Sequence, residues 1–524
     1  MDIEQKYADP VLNLVLDTFS KGKQCLVFVN TRLSAEKEAL EIAKKIKNTE
    51  LTELSKKILS AISSPTEQCK KLAICVKKGV AFHHSGLVSK QRELIESSFR
   101  EGTIKAICCT PTLAAGVDLP AFRVIIRDLK RYGGRWGMQS IPTLEYHQMA
   151  GRAGRPKYDS FGEAITLAKI ESEKEQIVDK YIYGESEDIH SKLAVEPVLR
   201  TYILSLIAAQ FVTTRKEILN FFEQTFWAHQ FQDMGRLEEI IHRMLELLEE
   251  WEFIISAEQP GKDSGFQDAL SIHQEKYGAT QLGKRVAELY LDPYTAYRMV
   301  QAIRRASSSS AEHFSYLHMI SNTLELRPLL RVKSKEWDDI QEALALNQGK
   351  ILFEEPSIYD PEYEDFMASI KTALFMQEWC DEKNEEYLLE KYGIRPGEIR
   401  SKLDIGDWLL YSAIEMTKIL HFKDIEKDLS KCRMRLSYGV KEELFVLLKL
   451  KMIGRVRARK LFANGLKDIA TLKKVELGKL MLILGKETAT SIKKQLGEDV
   501  PEVVPKGRRK GQVSIEKFGS KYQE

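Results

Sequence analysis

The first 170 residues alternate between short apolar runs and longer stretches in which apolar and polar residues are mixed. An uninterrupted apolar run that ends in a polar residue is typical of a strand buried on both faces of a parallel sheet. We expect Ser34 to open the helix that follows the first run. The pattern therefore predicts an α/β layer around a parallel sheet. The runs are QCLVFVN (24–30), GVAFHH (79–84), IKAICC (104–109), RVII (123–126) and EAITLA (163–168).

One stretch, residues 124–142, departs from this alternation because two extended segments flank Gly133 and Gly134. Glycine readily adopts the positive φ that tight hairpin turns require. We therefore predict a β-hairpin inserted into the layer.

The chain becomes mainly helical from about residue 171. Thr214 and Glu217 have the spacing of a capping box, which would start one helix. An amphipathic helix is predicted over 233–251, and the extended segments FIISA and YGATQLG follow it on either side of a polar loop. Helices followed by a strand–loop–strand element resemble a winged helix.

The remaining residues are predicted to be helices joined by loops over 290–425 and short helices over 435–500. The segment after Pro501 is rich in Lys, Arg, Gly and Pro, and we expect it to be disordered.

Composition places the chain among globular proteins with several domains. It has 524 residues, of which 43% are hydrophobic and 30% charged. Runs of ~18 apolar residues are absent from the sequence, and its first residues lack the apolar core of a secretory signal. The seven cysteines are odd in number and form no C-x-x-C pair, which argues against a disulfide framework or a zinc site. A cytoplasmic protein without a membrane segment or metal site is expected.

Net charge is only +3, so the distribution of charge carries more information than its sum. Residues 449–460, KLKMIGRVRARK, contain six basic residues and no acidic one, and the tail segment PKGRRKGQ is also basic. Local basic patches of this kind are suited to binding phosphates.

The most specific motif is QMAGRAGRP, residues 148–156. It places Arg152 and Arg155 three residues apart, which we interpret as one face of a helical turn. Two guanidinium forks aimed at one point suit the charge of a transferring γ-phosphoryl group. The alternative is a basic, glycine-rich turn without a catalytic role.

Three further motifs follow predicted strands. TPTLAAGVDLPA begins at Thr110, whose hydroxyl at a strand end can bind a backbone phosphate, and it includes Asp118, which could face a ribose or the arginine pair. LVFVNTR and FHHSGL place polar residues at carboxyl ends of strands, where open α/β sheets bind ligands. An ordinary strand-to-helix loop remains the alternative for the first, and we assign His83 and His84 no catalytic role.

These four motifs, in this order, resemble the second motor lobe of superfamily II helicases. The residues of these motifs are most similar to those of the Ski-like branch, in particular the archaeal Hjm-type ATP-dependent DNA helicases. The segments 191–208, 285–293 and 453–465 also resemble later domains of that family, in the same order. The resemblance covers nearly the whole chain.

The resemblance implies a multidomain fold in which an α/β RecA-like lobe with an inserted hairpin precedes DNA-handling domains. The expected domains are a second RecA-like motor lobe (1–175), a winged helix (176–290), an all-α ratchet domain (291–425), a helix-hairpin-helix domain (426–500) and a disordered basic tail (501–524).

It also implies a mechanism in which two motor lobes grip ATP and Mg²⁺ and move 3′ to 5′ along single-stranded DNA. Gln148, Arg152 and Arg155 would serve hydrolysis, with Gly116 and Asp118 beside the nucleotide. The tracking strand would be held by Thr31, Arg32 and Thr110, and the hairpin, including Arg135 and Trp136, would split the duplex.

Two later segments would contact DNA if the resemblance holds. Helix 398–416 matches the family's ratchet helix, where Trp408 would stack on bases and Arg400 would supply the basic contact, although Ser401 stands where the family has a basic residue. The alternative is that Trp408 is a core residue. The hairpin of the helix-hairpin-helix would bind phosphates, with Met452 in place of the usual first glycine. Its basic residues are Lys451, Arg455, Arg457 and Arg459.

The sequence contains neither G-x-x-x-x-G-K-[ST] nor a DExH-like carboxylate pair. We therefore expect ATP and Mg²⁺ to be bound mainly by an N-terminal motor lobe, encoded in the same gene or on a separate subunit, and the 524 residues alone to be inactive. The expected function is that of a DNA helicase portion acting on forked or branched DNA in replication-coupled repair and recombination. The alternatives are a portion of a Ski-like RNA helicase and a non-catalytic module that binds single-stranded DNA.

The tail contains a candidate partner site. Gln512, Ile515 and Phe518 have the spacing of a peptide that binds the sliding clamp PCNA, although Gly519 replaces the usual second aromatic residue. The alternative is a disordered tail that matches this short pattern by chance.

Overall fold

A computed structural model describes residues 3–47, 50–62, 65–132, 137–155, 159–193, 195–257, 276–309 and 311–497. The chain folds into two compact units. The first comprises Met1–Trp379 with Lys383–Ser437, and the second comprises Cys380–Glu382 with Tyr438–Glu524.

The strands and helices of the described residues are numbered in chain order. The strands are β1 (Cys25–Phe28), β2 (Val80–His83), β3 (Ala106–Cys109), β4 (Arg123–Ile126), β5 (Lys130–Tyr132), β6 (Met138–Ser140), β7 (Glu163–Thr166), β8 (Ile254–Ala257) and β9 (Lys276–Ala279). The helices are α1 (Pro10–Ser20), α2 (Arg32–Lys45), α3 (Thr52–Ser60), α4 (Glu67–Lys77), α5 (Ser89–Arg100), α6 (Thr112–Gly116), α7 (Thr143–Ala150), α8 (Glu171–Ile177), α9 (Glu196–Ala208), α10 (Arg215–Glu223), α11 (Phe226–Phe231), α12 (Met234–Glu250), α13 (Gln281–Glu288), α14 (Pro293–Ser308), α15 (His313–Ser321), α16 (Trp337–Asn347), α17 (Tyr363–Cys380), α18 (Glu385–Tyr392), α19 (Pro396–Ile419), α20 (Lys423–Tyr438), α21 (Phe445–Leu448), α22 (Arg455–Ala463), α23 (Ile469–Lys474), α24 (Leu477–Leu484) and α25 (Lys486–Gln495).

A five-stranded parallel sheet forms the centre of the first 170 residues, with strand order β2-β3-β1-β4-β7. Each of the five apolar runs contains one of these strands, so the predicted parallel sheet is confirmed. The strands β1 to β4 are buried along their whole length, because helices cover both faces of the sheet. This is why the sequence shows continuous apolar runs rather than alternation.

The helix after β1 begins earlier than predicted. Thr31, not Ser34, is its N-cap, and the Thr31 hydroxyl accepts a hydrogen bond from the Ser34 backbone N–H at 3.0 Å. The prediction was wrong because Ser34 lies inside the first turn, where its N–H needs an acceptor.

The predicted hairpin is present but shorter than the stretch 124–142. Its strands β5 and β6 pair antiparallel, with Arg131 opposite Gln139. The first extended segment of that stretch instead contributes β4 to the central sheet. The apolar side chains of β4 are buried there, whereas β6 is exposed. Gly133 and Gly134 lie outside the described residues.

The helical region after the sheet contains the elements expected for a winged helix. The capping box of Thr214 and Glu217 is present at the start of α10. Helix α12 ends with Trp251 as its C-cap, and β8 and β9 then pair antiparallel. Helix α13 packs on the long helix α19, where Arg285 donates to the Glu415 carboxylate at 2.7 Å and to the Tyr411 hydroxyl at 3.2 Å.

The second unit has its own apolar core, formed by helices α21 to α25. None of the helices in the described ranges is both long and apolar enough to span a bilayer. All seven cysteine side chains are buried.

Candidate functional site

An open cavity of about 750 Å³ lies at the carboxyl edge of the central sheet. Thr31 and Arg32 reach it from the end of β1, and Thr110 reaches it from the end of β3. Gln148 of α7 and Arg395, just before α19, also line it. The structure thus brings together the three residues predicted to hold a tracking strand. It also places Gln148, predicted to serve hydrolysis, in the same cavity.

The polar groups around this cavity are partly engaged with one another. The Thr31 hydroxyl donates to Ser34 Oγ at 2.7 Å, and the hydroxyls of Thr110 and Thr112 are 2.9 Å apart. Arg32 forms an ion pair with Glu398 of α19. A phosphate bound by Arg32 would therefore compete with this carboxylate.

Arg152 links the QMAGRAGRP segment to the loop that follows β3. Its guanidinium donates to the Ala114 carbonyl through Nη2 and, at 3.2 Å, through Nε. The Asp118 carboxylate lies 3.4 Å from Arg152 Nη1, and the Asp118 side chain is 92% exposed. Arg152 and Asp118 therefore lie side by side, and Gly116 is exposed in the same segment of chain after β3.

Arg155 binds a different set of partners. Its Nε donates to Asp159 at 2.7 Å, and Nη1 donates to Gln24 Oε1 at 2.7 Å, at the amino end of β1. The hydrogen bond from Arg155 is the main reason that the pKa of Asp159 is lowered, and Lys23, at 2.5 Å, adds to the effect.

The expectation that Arg152 and Arg155 lie on one face of a helical turn was therefore wrong. Helix α7 ends at Ala150, and the chain then forms a parallel bridge in which Ala121 N–H donates to the Arg152 carbonyl at 2.9 Å. Gly154 has a φ of +92° and lies so close to Gly162 that a Cβ on Gly162 would come within 2.2 Å of the Gly154 nitrogen. This close approach turns the chain out of the helix and separates the directions of the two arginines.

Glu187 is a residue that sequence reasoning missed. Its carboxylate accepts hydrogen bonds from the backbone N–H groups of Thr143, at 2.6 Å, and Leu144, at 3.2 Å. These groups are the first N–H groups of α7, which carries Gln148 and leads to Arg152, and they have no partner within the helix. Because Glu187 is more than 40 residues from this helix, only a family of related sequences could have signalled the contact.

Replacing Glu187 by glutamine is expected to lower the stability at neutral pH more than at pH 3. The hydrogen bonds, above all that from Thr143, lower the pKa of Glu187 to about 2. Since an unperturbed glutamate has a pKa of about 4.3, the carboxylate stabilises the fold above about pH 4.3, and this contribution is lost as the pH falls towards 2. Urea unfolding of both proteins at pH 7 and pH 3 measures it. An equal difference at the two pH values would contradict the capping role.

Trp408 and Arg400, predicted to contact DNA from α19, have separate surroundings. Trp408 is half-buried, and its indole N–H donates to the Leu289 carbonyl at 3.1 Å. Arg400 is exposed, pairs with Glu385 at 3.4 Å and lies 5.4 Å above the Trp379 ring. The partners that the structure gives these two side chains are therefore different, and it does not bring the pair together as one site.

In the second unit, the predicted hairpin before α22 is formed by residues 451–454. Met452 adopts the left-handed φ of +69° that the usual glycine would adopt, and Gly454 is the N-cap of α22. The Arg457 guanidinium donates to the Met452 carbonyl at 2.8 Å. Lys451 and Arg457 are exposed and Arg455 is half-buried, so all three reach the surface around this turn.

Arg459 does not fit the predicted basic surface as well. Its guanidinium forms ion pairs with Glu382 and, at 2.6 Å, with Glu443. The hydrogen bond to Glu382 is the main reason that the pKa of Arg459 is raised. Two carboxylates therefore already neutralise this residue.

Five predicted site residues lie outside the described residues. They are Arg135 and Trp136 of the hairpin and Gln512, Ile515 and Phe518 of the tail.

Comparison with known families identifies the class of protein to which this fold and site belong. Residues 55–157 match the helicase conserved C-terminal domain, residues 162–255 match a helix-turn-helix domain, and residues 314–439 match domain 4 of archaeal helicases. The α/β lobe with its cavity is therefore a helicase C-terminal lobe, joined to further helicase domains.

Individual relatives identify one family within this class of helicases. The chain is 37% identical over 517 residues to the ATP-dependent DNA helicase Hel308 of Methanocella arvoryzae, which covers 97% of the chain and 67% of the relative. It is 39% identical over 495 residues to the Hel308 of Pyrococcus abyssi (93% and 66%) and 38% identical over 489 residues to that of Methanococcus vannielii (87% and 63%). The chain belongs to the Hel308 family of archaeal ATP-dependent DNA helicases, and it spans about two thirds of the length of these relatives.

Proposed function

We propose that this chain is the second motor lobe and the DNA-handling part of a 3′–5′ DNA helicase that acts on forked or branched DNA in repair and recombination. The observation that carries the proposal is the cavity at the carboxyl edge of the sheet, where Thr31, Arg32 and Thr110 converge. Hydroxyl and guanidinium groups at such an edge can bind the phosphates of a DNA strand, whatever its base sequence. The proposed domain boundaries are those expected from the sequence.

Single-stranded DNA would run from this cavity along α19. Arg395 lines the cavity directly before the first turn of that helix, and Trp408 lies three turns further on. An aromatic ring that stacks on a base is sequence-tolerant, as a translocating motor requires. In this proposal the hairpin of β5 and β6 separates the duplex, and the basic turn at 451–454 binds phosphates.

Nucleotide would bind beside Arg152 and Asp118, with Gly116 of the same loop next to it. ATP with Mg²⁺ supplies the phosphoryl group whose transfer drives the motor. The residues fit this group, because the Arg152 side chain is 24% exposed and can face a phosphate, while the exposed Asp118 carboxylate can accept from a ribose hydroxyl. Arg152 would orient the loop after β3 and neutralise phosphate charge. The phosphate-binding loop is assigned to a first motor lobe, since G-x-x-x-x-G-K-[ST] does not occur in the 524 residues.

Replacing Trp408 by alanine tests the DNA-binding part of the proposal. Loss of one base stack is expected to weaken binding of single-stranded DNA by about 1–3 kcal/mol. Fluorescence anisotropy with a labelled oligonucleotide measures the dissociation constant, and Trp337→Ala is the matched control, since Trp337 is also half-buried but lies on α16.

Three outcomes separate the alternatives. Undiminished DNA binding by Trp408→Ala would remove Trp408 from the interface, and a lost thermal transition would show that it is a core residue. Equal competition by RNA of the same length would favour an RNA helicase portion.

A sliding clamp such as PCNA is a further proposed partner. Ile515 and Phe518 would occupy its apolar pocket, and Gln512 would reach backbone groups beside that pocket. The proposal rests on the spacing of these three residues alone.

A further inference from the structure

The loop FHHSGL of the motor lobe touches the first turn of α19 at backbone level. The Gly397 N–H donates to the Gly86 carbonyl at 3.0 Å. A Cβ on Gly397 would come within 2.4 Å of both the Ser85 and Leu87 carbonyl oxygens. At Gly86, a Cβ would come within 2.4 Å of the Arg395 side chain. Gly397 therefore permits a backbone approach that a larger residue there would prevent, whereas a side chain at Gly86 would displace the Arg395 side chain.

A buried ion pair lies beside this contact. Arg395 Nε donates to Glu36 Oε1 at 3.3 Å, and the two side chains are 16% and 7% exposed. Burial opposes ionisation of Glu36, but the nearby His84 ring and the Arg395 guanidinium outweigh it, so the pKa of Glu36 is lowered. Glu36 is therefore charged at neutral pH and faces a cation from α19.

His84 supports Glu36 from within the lobe. Its side chain is fully buried, its Nε2 lies 3.5 Å from Glu36 Oε1, and its Nδ1 accepts a hydrogen bond from the Gly86 N–H at 3.1 Å. Since Nδ1 accepts this hydrogen bond, the proton of a neutral ring is assigned to Nε2, the atom nearer to Glu36. Burial lowers the pKa of His84, so the ring is neutral.

A second ion pair repeats the arrangement one helical turn away. Arg32 and Glu36 are four residues apart on α2, and they pair with Glu398 and Arg395, respectively. Glu398 also accepts a hydrogen bond from the Arg395 N–H at 3.0 Å, which caps α19. The charges alternate along both helices, so only one register between α2 and the start of α19 satisfies both pairs.

We infer that Glu36 and Arg395 are positioning residues that fasten α19 to the motor lobe, so that movement of the lobe is passed to the DNA along this helix. The inference rests on the proposed function, because movement of the motor lobe can be passed to DNA only if single-stranded DNA runs along α19. Trp408 is 13 residues beyond Arg395, which is about 20 Å along a helix. A small rotation of the lobe therefore displaces the base-stacking residue by a larger distance.

The first test measures the attachment in the 524-residue protein. Spin labels on Lys56→Cys of α3 and Lys418→Cys of α19 report the distance between lobe and helix, and the native cysteines are buried. One narrow distance distribution is expected for the parent. Glu36→Arg and Gly397→Ala should each broaden or shift it.

The controls separate a positioning role from general damage. Glu41→Arg reverses a charge on the same helix at a half-exposed glutamate that pairs with Lys44 three residues away, and it should leave the distribution unchanged. Glu36→Arg combined with Arg395→Glu should restore the narrow distribution, since the ion pair is re-formed with opposite polarity. Unchanged distributions in both Glu36→Arg and Gly397→Ala, each still folded by circular dichroism, would overturn the inference.

The second test concerns coupling, in the chain mixed with the part of the Methanocella arvoryzae relative that lies outside the matched 517 residues, which the proposed function takes to contain a first motor lobe. Glu36→Arg should retain DNA-stimulated ATPase while the base pairs unwound per ATP fall about fivefold. Glu41→Arg should leave both quantities unchanged. If the parent mixture unwinds nothing, the proposed function fails. If the parent unwinds DNA and Glu36→Arg unwinds as many base pairs per ATP, only the inference about the junction fails.

Discussion

Replacing Arg152 by alanine is expected to lower ATP turnover about 10³-fold in the chain reconstituted with a first motor lobe. The guanidinium holds the Ala114 carbonyl and lies beside Asp118, so its loss removes both a phosphate-facing charge and the support of the loop after β3. Arg152→Lys keeps the charge but loses the planar fork and should recover only part of the activity. Steady-state ATPase with saturating single-stranded DNA measures the effect.

The parent chain without a first lobe is the reference for this experiment, and we expect no DNA-stimulated ATPase from it. Activity of the parent chain alone would contradict the assignment of the phosphate-binding loop to another lobe. A loss under tenfold in Arg152→Ala would remove Arg152 from the hydrolytic site.

Arg155→Ala is an informative comparison, because Arg155 is bound by Asp159 and Gln24. Its removal leaves Lys23 as the cation that pairs with the Asp159 carboxylate, whose side chain is 1% exposed. A fall in ATPase with an unchanged melting temperature would assign Arg155 to hydrolysis, and a fall in both would assign it to the structure of the lobe.

Replacing Arg123 by alanine is expected to destabilise the motor lobe by about 3 kcal/mol, because the Glu163 carboxylate, which is 10% exposed, loses the cation that pairs with it. Arg123 is fully buried at the start of β4, where it contacts Glu163 at 2.6 Å and Asp17 at 2.8 Å. Its Nη1 also donates to the Leu14 carbonyl at 2.8 Å. One side chain therefore connects α1, β4 and β7.

Urea unfolding at pH 7 measures this loss, with Arg100→Ala as the control. Arg100 is 53% exposed and pairs with Glu96 at 4.0 Å, and exposed pairs of this kind contribute about 0–1 kcal/mol. Equal stabilities of the two variants would show that the buried arginine is dispensable.

The elements predicted best were those whose signal is local. Four strands of the sheet, β1 to β4, lie in apolar runs because both faces are buried, and the capping box at Thr214 is formed by residues three apart. The grouping of Thr31 and Thr110 followed from a general property of parallel sheets, whose carboxyl ends meet at one edge.

The features that were missed depend on contacts between distant parts of the chain. Arg152 and Arg155 point to different partners because Gly154 lies against Gly162 and turns the chain between them. The helical spacing of the two arginines in the sequence does not reveal this turn. The junction of Glu36 with Arg395 joins residues more than 350 positions apart. Charge pairs at such separations leave no pattern in a single sequence.

Helix α19 is attached near both of its ends, by Arg395 and Glu398 to the motor lobe and by Glu415 to Arg285 of α13. Each residue added to a helix rotates the remainder of that helix by about 100° and advances it by about 1.5 Å. A one-residue insertion or deletion between Glu398 and Glu415 would therefore rotate one attachment away from its partner. The number of residues between Glu398 and Glu415 is therefore constrained by the rotation of the helix. Replacement of side chains in this segment should be tolerated more readily than a change in its length.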